Sequence, residues 1–588
     1  MGTTSPELDE TDIQSMKTFI ESICSSEFRE TSGLPPLSYA SSEPIIDSKE
    51  SESTSQNLSN DGDEDRNEED EGRYPGWRRT LPIMIAFYVA LIIVALSKTF
   101  IDTMAPVLAK TFGTLDDTGL YSSVETLAAS ASILFFGKVN EIFPSKWILL
   151  SVLLLFLVGE TICGTASSAP TFVAGRALTG LGFAGVFVTI MIIIVDVFPL
   201  RRQPFIVGSL AAAFTIGTIV GPLFGGIIIS RISFRWCFYL TILIGVALAP
   251  VIYFTLQYPK QQDLDTENPK PQQRSGLKRK LLELDWPGNL TFAPAVACLL
   301  LALSWGGFVY PWNSGRIIVL LIFSAVLTLA FVATQVYFRM TAMVPGYILK
   351  NRNVLSGVLY SACIAGAMTA AAFYIPLWFQ VVRGFSAEKS GVHTLPMVVA
   401  TTISAGLTGA CVEQLGYYTP FMFLGALVEA VGAGLLTTIS TDTSFRTFAG
   451  FQVLFGIGAG ISLQQPLVAV QTVLPKEDIP KGSALVLLGQ TLGCSIFVCV
   501  AQAVLTNGLQ HQLAAIPGLS PQTQRVAKTG PAAFRSEVPE AMLPAVLEAY
   551  NGAVAGTFWV PLALSILGFV LAVGMEWRNV KKKKKKSS

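Results

Sequence analysis

The segment 217–226, GTIVGPLFGG, places four glycines and a proline inside a long apolar run. Both residue types are poor helix formers in water, yet a segment that crosses a bilayer must be helical because lipid offers its backbone no hydrogen bonds. Gly217, Gly221 and Gly225 follow one another at intervals of four and share one helix face, which a neighbouring helix can approach closely. Pro222 lacks an N–H and lets the helix bend. We predict a tight, bendable helix contact; a static packing seam is the alternative.

The composition of the whole chain points to a membrane protein. Of 588 residues, 51% are hydrophobic and 14% are charged, whereas soluble proteins carry about 25% charged residues. From Leu81 onward, apolar stretches of about 20 residues recur, each long enough to cross a bilayer as a helix. We therefore predict an all-α polytopic membrane protein with about fourteen spans. A formal net charge of zero gives no reason to expect a nucleic-acid partner.

The polar stretches divide the chain into five parts. The basic residues concentrate in the breaks that share a side with both termini, so the positive-inside rule places both termini in the cytoplasm. We assign the protein to the plasma membrane. The predicted parts are a disordered acidic tail (1–76), a six-helix bundle (77–258), a cytoplasmic loop with two linker spans (259–340), a second six-helix bundle with a long extracellular loop at about 506–553 (341–577) and a polybasic tail (578–588).

Two pairs of short strings suggest an internal repeat. GKVNEIFPSK begins at Gly137 after the second span, and GACVEQLGYY begins at Gly409 after the tenth. In both, a glutamate follows the glycine four residues later. GLGFAG at Gly180 and GIGAG at Gly456 are separated by nearly the same offset. Parallel halves of this kind are a transporter architecture.

Charged residues inside spans are costly and are candidates for function. Lys98 and Asp102 are four residues apart on one helix face and can pair. In the functional interpretation Asp102 exchanges a proton and Lys98 tunes its pKa; the alternative is a structural ion pair.

A second set of charges lies deeper in the first half. Arg176 keeps its charge under all conditions and can hold a carboxylate ionised. Glu125 or Glu160 can be the group that gains and loses a proton. The alternatives are a packing arginine bound to carbonyls and protonated, hydrogen-bonded glutamates.

Uncharged side chains provide candidates for a substrate cavity. The amides can line a cavity or bond between helices, and the aromatic side chains can stack on a flat substrate or, as we prefer, form an interfacial belt. These residues are Gln452, Gln464, Gln465, Gln490, Phe373, Tyr374 and Trp378.

Several of these strings resemble motifs of the major facilitator superfamily. GTIVGPLFGG is similar to its antiporter motif in span five, matching at Gly217, Gly221, Pro222, Gly225 and Gly226. GKVNEIFPSK resembles its gating loop after span two, and GRALTGLGFAG its span-four motif with a buried arginine. LDWPG, WGGFVYPWNS and YIPLWFQVVRGFSAEKSGVHTLP resemble the fourteen-span drug:proton antiporter branch, especially fungal toxin efflux pumps.

The resemblance implies a fold and an activity. The fold is two six-helix bundles plus two extra central helices, and the activity is proton-coupled export of small organic molecules such as toxins, without a cofactor or metal. The expected partners are the substrate, protons and the bilayer, and we expect a monomer. A siderophore or vacuolar basic amino-acid carrier of the same fold is the alternative. With only two histidines, a membrane enzyme is disfavoured.

Two departures from the family pattern bear on mechanism. The gating loop offers Gly137, Lys138, Glu141 and Lys146, but Glu141 replaces the usual aspartate and the glycine and arginine that normally follow are absent. We therefore expect a thinner charge network there. In span one, Ser97 stands where the branch usually has aspartate, which puts the usual proton site of that span in doubt.

Overall fold

The computed structural model describes residues 77–112, 118–256, 280–281, 283–307, 310–338, 341–517 and 542–579, and long helices make up most of these residues. The first bundle contains α1 (Trp77–Phe112), α2 (Thr118–Ile142), α3 (Ser145–Thr165), α4 (Ala169–Val197), α5 (Gln203–Arg231) and α6 (Arg235–Thr255). The linker helices are α7 (Trp286–Trp305) and α8 (Gly315–Tyr337). The second bundle contains α9 (Arg352–Val381), α10 (Ala387–Leu415), α11 (Thr419–Leu436), α12 (Phe445–Ser462), α13 (Gln465–Val473), α14 (Ile479–Ala514), α15 (Leu543–Thr557) and α16 (Trp559–Val573).

Twelve helical stretches of the described residues are long and apolar enough to cross a membrane, with α12–α13 and α15–α16 each counted as one. The 25-residue α2 and the 29-residue α5 are not among the twelve. Both are long enough to span, and both pack against neighbouring helices within the bundles. The count of fourteen spans stays a prediction.

The two bundles repeat one packing pattern. In the first, α1 packs on α5 and α6, α2 on α4, and α3 on α4 and α6. In the second, α9 packs on α14 and α16, α10 on α12, and α11 on α12 and α16. Equivalent glycines make equivalent contacts: a Cβ at Gly180 would meet the Glu125 carbonyl of α2, and one at Gly456 would meet the Met397 carbonyl of α10. This is the geometry that a parallel repeat produces.

The bundles contact each other through two equivalent seams, α2 with α14 and α5 with α10. We call the side where α1 begins and α16 ends the terminal side; our prediction places it in the cytoplasm. There a Cβ at Gly137 would lie 2.6 Å from the Ala484 Cβ, and one at Gly409 would lie 2.7 Å from the Pro204 carbonyl oxygen. The two glycines of the sequence repeat are thus points of close approach between the bundles.

Apolar packing agrees with closure on the terminal side. One buried cluster there joins residues of both bundles, such as Leu149 with Leu485. Towards the opposite side, the clusters around Phe172 in the first bundle and around Trp378 in the second are separate. The bundles are therefore joined by apolar packing on the terminal side, and the buried clusters described in the two bundles towards the opposite side are not continuous with each other.

The linker helices lie beside one seam. α7 packs on α8 and contacts both α2 and α14. Asp285, at the start of α7, is 2% exposed and accepts hydrogen bonds from Gly288 N (2.8 Å), Gln335 Nε2 (2.6 Å) and Met343 N (3.2 Å). This carboxylate, from the LDWPG string, ties both linker helices to the segment that leads into α9. The two extra helices are central in sequence but peripheral in the structure.

Two predicted boundaries are wrong. α14 continues to Ala514 and α15 begins at Leu543, so the long loop is shorter at both ends than the predicted range of about 506–553. The reason is that Leu509 and Leu513 continue the helical apolar face and are buried in one cluster with Val546. The acidic tail, the loop at 257–279, residues 518–541 and residues 580–588 lie outside the described residues.

Candidate functional site

A fully buried charge cluster lies within the first bundle. Arg176 of α4 and Glu160 of α3 have no exposed surface, and Glu125 of α2 is 2% exposed. Arg176 forms an ion pair with Glu125, and its Nη1 lies 3.9 Å from Glu160 Oε1. Arg176 and Glu125 each lie about two turns into helices that begin on the opposite side. The structure thus brings together three of the five predicted proton-coupling residues.

Two hydroxyl groups complete the cluster. Arg176 Nη1 donates to Ser97 Oγ at 3.2 Å, and Ser97 Oγ donates to Glu160 Oε1 at 2.6 Å. Thr241 Oγ1 of α6 lies 2.7 Å from both Glu160 Oε2 and the Phe238 carbonyl oxygen. A hydroxyl has one hydrogen to donate, so it serves only one of these acceptors. Both contacts are hydrogen bonds when Glu160 is protonated and donates to Thr241.

The number of charges in the cluster also favours a protonated Glu160. Two carboxylates surround one guanidinium, so with all groups ionised the cluster carries one negative charge. An unbalanced charge out of contact with water costs several kcal/mol. One proton makes the cluster neutral, and Glu160 is the acid whose second oxygen faces a hydroxyl rather than the arginine.

Glycines allow the three helices to approach closely enough to form this cluster. A Cβ at Gly159 would lie 2.6 Å from Thr179 N, and one at Gly175 would lie 2.6 Å from Cys163 Sγ. At Gly180 a Cβ would meet the carbonyl oxygen of Glu125 itself. The glycines of α4 therefore allow the backbones of α2 and α3 to come into close contact with it.

The segment 217–226 forms a close contact between α5 and α1, within the first bundle. A Cβ at Gly217 would lie 2.7 Å from the Ala95 Cβ, and one at Gly225 would lie 2.9 Å from Phe100 Cδ1. At Gly221 an added Cβ would overlap Thr99 Oγ1. Gly226 has no atom within 4 Å of such a Cβ, so it takes no part in the contact. α5 continues through Pro222, whose side chain lies outside the described residues.

The gating loop contributes to a charge network that joins the bundles on the terminal side, which we call the latch (Lys138, Glu141, Tyr347, Asp478 and Lys481). Glu141 binds Lys138 at 2.9 Å within α2 and Lys481 of α14 at 2.8 Å. Lys481 lies 3.6 Å from Asp478, which accepts a 2.6 Å hydrogen bond from Tyr347 Oη. Burial and the Asp478 hydrogen bond raise the pKa of Tyr347, so its phenol remains a donor at neutral pH.

The latch is not thin, despite the departures from the family pattern. Lys481 of the second bundle supplies Glu141 with a cation that the loop itself does not carry. Lys146 takes no part in the latch: its Nζ donates to the Tyr253 carbonyl oxygen at 2.7 Å, inside the first bundle.

The comparisons with known proteins agree with this geometry. Residues 87–498 match the model of the Major Facilitator Superfamily. This chain belongs to the major facilitator superfamily. The MFS-type transporter astH of Aspergillus oryzae is 38% identical over 517 residues, covering 88% of this chain and 90% of the relative. The efflux pump roqT of Penicillium rubens is 37% identical over 500 residues, covering 85% and 91%. This chain is therefore a multi-pass membrane transporter of small molecules and not an enzyme.

A solved structure shows the same fold. The proton:xylose symporter XylE superposes with a TM-score of 0.54 at 14% identity, covering 83% of this chain and 94% of XylE. At this identity the likeness concerns the fold alone.

In this major facilitator transporter, the predicted pair of Lys98 and Asp102 in span one stays a prediction. Lys98 is exposed, whereas its neighbour Ser97 is 1% exposed. Lys98 lies close enough to Cys494 on α14 of the second bundle for an electrostatic interaction. The side chain of Asp102 lies outside the described residues.

Most predicted cavity residues bond between helices instead. Gln452 Nε2 donates to the His393 carbonyl oxygen at 3.1 Å. Gln490 Nε2 donates at 3.1 Å to the carbonyl of Leu463, where Pro466 breaks the helix between α12 and α13. Gln464 lies half-buried at this break and Gln465 is buried beside it. The alternative interpretation, hydrogen bonding between helices, describes Gln452 and Gln490.

The aromatic candidates separate by burial. Trp378 is fully buried, stacks on Phe448 and donates from Nε1 to Asn551 Oδ1 at 2.7 Å. Tyr374 is buried and donates to Gln502 Oε1 at 3.0 Å. Neither can form an interfacial belt or touch a substrate here, because α9 turns both towards its neighbours within the second bundle. Phe373 is 54% exposed and remains a candidate.

Sequence reasoning did not find Ser97 and Thr241 as members of the cluster. Each is a common hydroxyl in an apolar helix, and only the fold shows that both reach Glu160. Glu429 of α11 is a further fully buried acid, and its two oxygens have no hydrogen-bond partner among the described residues.

Proposed function

We propose that this transporter is a proton-coupled efflux antiporter that exports small organic molecules by alternating access. The observation that carries the proposal is the sharing of the buried Arg176 between Glu125 and Glu160. The cluster has two carboxyl groups and one guanidinium. It is therefore neutral when it holds one proton and negative when it loses that proton. Such a change, away from water, is large enough to favour one conformation over another.

The helices that hold the cluster link it to the seams between bundles. Ser97 places α1 in the cluster, and the seam at Gly217, Gly221 and Gly225 holds α1 against α5. α5 in turn packs on α10 of the second bundle. Loss of the Glu160 proton therefore alters contacts on α1, and the displacement passes through α5 to the other bundle.

The direction of transport is argued from the relatives and from charge. Several relatives carry the name efflux pump, among them roqT and aunC of Aspergillus niger. The basic residues on the terminal side favour a cytoplasmic location for that side, and in a plasma-membrane protein the present conformation is then outward-facing. Both bundles and the complete cluster belong to one chain, which supports a functional monomer.

The test uses yeast cells that lack their own drug pumps and express the full chain. Three fluorescent probes are loaded, the anion fluorescein, the neutral dye Nile red and the cation rhodamine 6G. We expect at least one probe to be exported, and a protonophore to abolish that export. Glu160→Gln mimics a permanently protonated acid, so the cluster can no longer change between neutral and negative. We expect the export rate to fall about tenfold or more; a tenfold fall corresponds to about 1.4 kcal/mol of lost coupling.

The matched control is Glu548→Gln, the same change at an exposed position of α15. It should keep export and its dependence on the proton gradient. Export by the unaltered chain that persists with the gradient dissipated, or gradient-dependent export by Glu160→Gln at the rate of the unaltered chain, would contradict the proposal.

A further inference from the structure

We infer that Lys98 binds the negatively charged group of an exported molecule, so that the substrates of this transporter include organic anions. The inference rests on the proposed function, because it assigns the substrate class of the same pump. It depends on where α1 places two adjacent side chains.

Ser97 and Lys98 point in different directions from one helix. Successive residues of an α-helix are about 100° apart. Ser97 is buried and bonded to Glu160 and Arg176, whereas Lys98 is exposed and lies within electrostatic range of Cys494 on the second bundle. Lys98 therefore lies exposed on α1, near α14 of the second bundle and at the depth of the proton cluster.

No ion pair of Lys98 occurs among the side chains that the structure describes. The nearby Glu125 and Glu160 are arranged around Arg176. Charged residues at this depth face cavities and mark substrate pathways. Asp102, one turn further along α1, is the remaining candidate partner, and the experiment below separates it from a ligand.

The facing wall suits an anionic aromatic molecule. Thr369 Oγ1 of α9 lies 3.0 Å from Cys494 Sγ, which places a hydroxyl group beside the α14 residue that interacts electrostatically with Lys98. Phe373 follows Thr369 by one turn on the same face of α9, and it is 54% exposed. An ammonium on one side and a hydroxyl with an aromatic ring on the other fit a carboxylate, phenolate or sulfonate on an aromatic body.

The placement also couples the two sites. Protonation of Glu160 changes the hydrogen bond made by Ser97, and Lys98 is the next residue of the same helix. A small rotation or shift of α1 that follows proton uptake therefore moves the ammonium relative to Thr369 and releases the anion.

The experiment measures export of fluorescein and Nile red in the same cells by variants of Lys98. We expect Lys98→Met to lower fluorescein export about tenfold, the size of one lost charge-assisted hydrogen bond, while leaving Nile red export within about threefold. Lys98→Arg keeps the charge and should retain most fluorescein export. An unchanged rate for fluorescein in Lys98→Met, or an equal loss for both dyes, would overturn the inference.

Asp102→Asn decides between a ligand and a structural pair. If Lys98 binds the substrate, Asp102→Asn keeps fluorescein export, and the double variant Lys98→Met/Asp102→Asn remains as defective as Lys98→Met. Restoration of fluorescein export in the double variant would show a structural pair and refute the substrate role. If the unaltered chain exports Nile red or rhodamine 6G under the proton gradient but not fluorescein, the anion inference fails and the proposed efflux function stands. If it exports none of the three dyes, both fail.

Discussion

Arg176 is stable in the interior of the first bundle because carboxylates and a hydroxyl surround its guanidinium. Removing one partner of a buried ion pair leaves an uncompensated charge, which costs more than the pair contributed. The residues that matter at this scale are therefore coupled, and their substitutions should not be additive.

We predict that Arg176→Gln lowers the free energy of unfolding by about 3–5 kcal/mol, since Glu125 then has no cation among its described neighbours. The double variant Arg176→Gln/Glu125→Gln removes both charges and should recover at least half of that loss. Thermal unfolding of the purified chains in detergent measures both. Additive losses in the double variant would show that the two side chains do not stabilise each other.

The amino-acid pattern identified Arg176, Glu125 and Glu160 individually, because ionisable residues stand out in apolar spans. It did not indicate that they meet, since they lie on three different helices. It favoured the Lys98–Asp102 pair in part because those residues are neighbours in sequence. Whether side chains on different helices meet depends on the rotation of each helix about its axis and on its shift along that axis. The glycines of α3 and α4 influence both, but only when the helices are packed together.

At the scale of helices, the contact between α1 and α5 depends on the absence of a side chain at one position. Gly221 faces Thr99, and Gly226, five residues later on the same helix, faces open space. The substitution of alanine at Gly226 is therefore a matched control for the same substitution at Gly221, because only the change at Gly221 places a methyl group against a neighbouring helix.

We predict that Gly221→Ala destabilises the protein by about 1–3 kcal/mol, because the new methyl group overlaps Thr99 Oγ1 and forces the helices apart. Export should fall with it. Gly226→Ala should be neutral or stabilising by about 0.4–1 kcal/mol, since alanine restricts the unfolded chain without meeting any atom. Melting temperature and initial export rate are the measurements.

A second substitution tests the cause. Thr99→Ala removes the hydroxyl that Gly221→Ala would strike, so the double variant should regain part of the lost stability and export. If the double variant is no better than Gly221→Ala alone, the overlap with Thr99 is not the source of the defect.

For the whole molecule, the latch determines which side of the transporter is closed. Glu141 belongs to the first bundle and Lys481 to the second, and their 2.8 Å ion pair lies one turn from the close approach of α2 and α14 at Gly137. It is partly exposed, so its contribution is modest, but a conformational equilibrium responds to free energies of this size.

We predict that Glu141→Lys shifts the population towards opening of the terminal side, because it places a third positive charge beside Lys138 and Lys481. The charge-swapped double variant Glu141→Lys/Lys481→Glu should restore closure. Spin labels at Arg201→Cys and Leu415→Cys, both exposed on the terminal side, report the distance between bundles in a background without native cysteines. Equal distance distributions in the three chains would show that the latch does not control the equilibrium.

The sequence by itself determined that the chain is helical and membrane-embedded, that its halves repeat, and which family it resembles, because hydropathy, glycine spacing and motifs are local properties of a segment. Only the tertiary structure decided that Ser97 and Thr241 belong with Glu160, that Lys481 completes the latch, and that Trp378 is part of a core. Each of these depends on contacts between residues that are distant in the chain, and the rotation of each helix about its axis is fixed by packing alone.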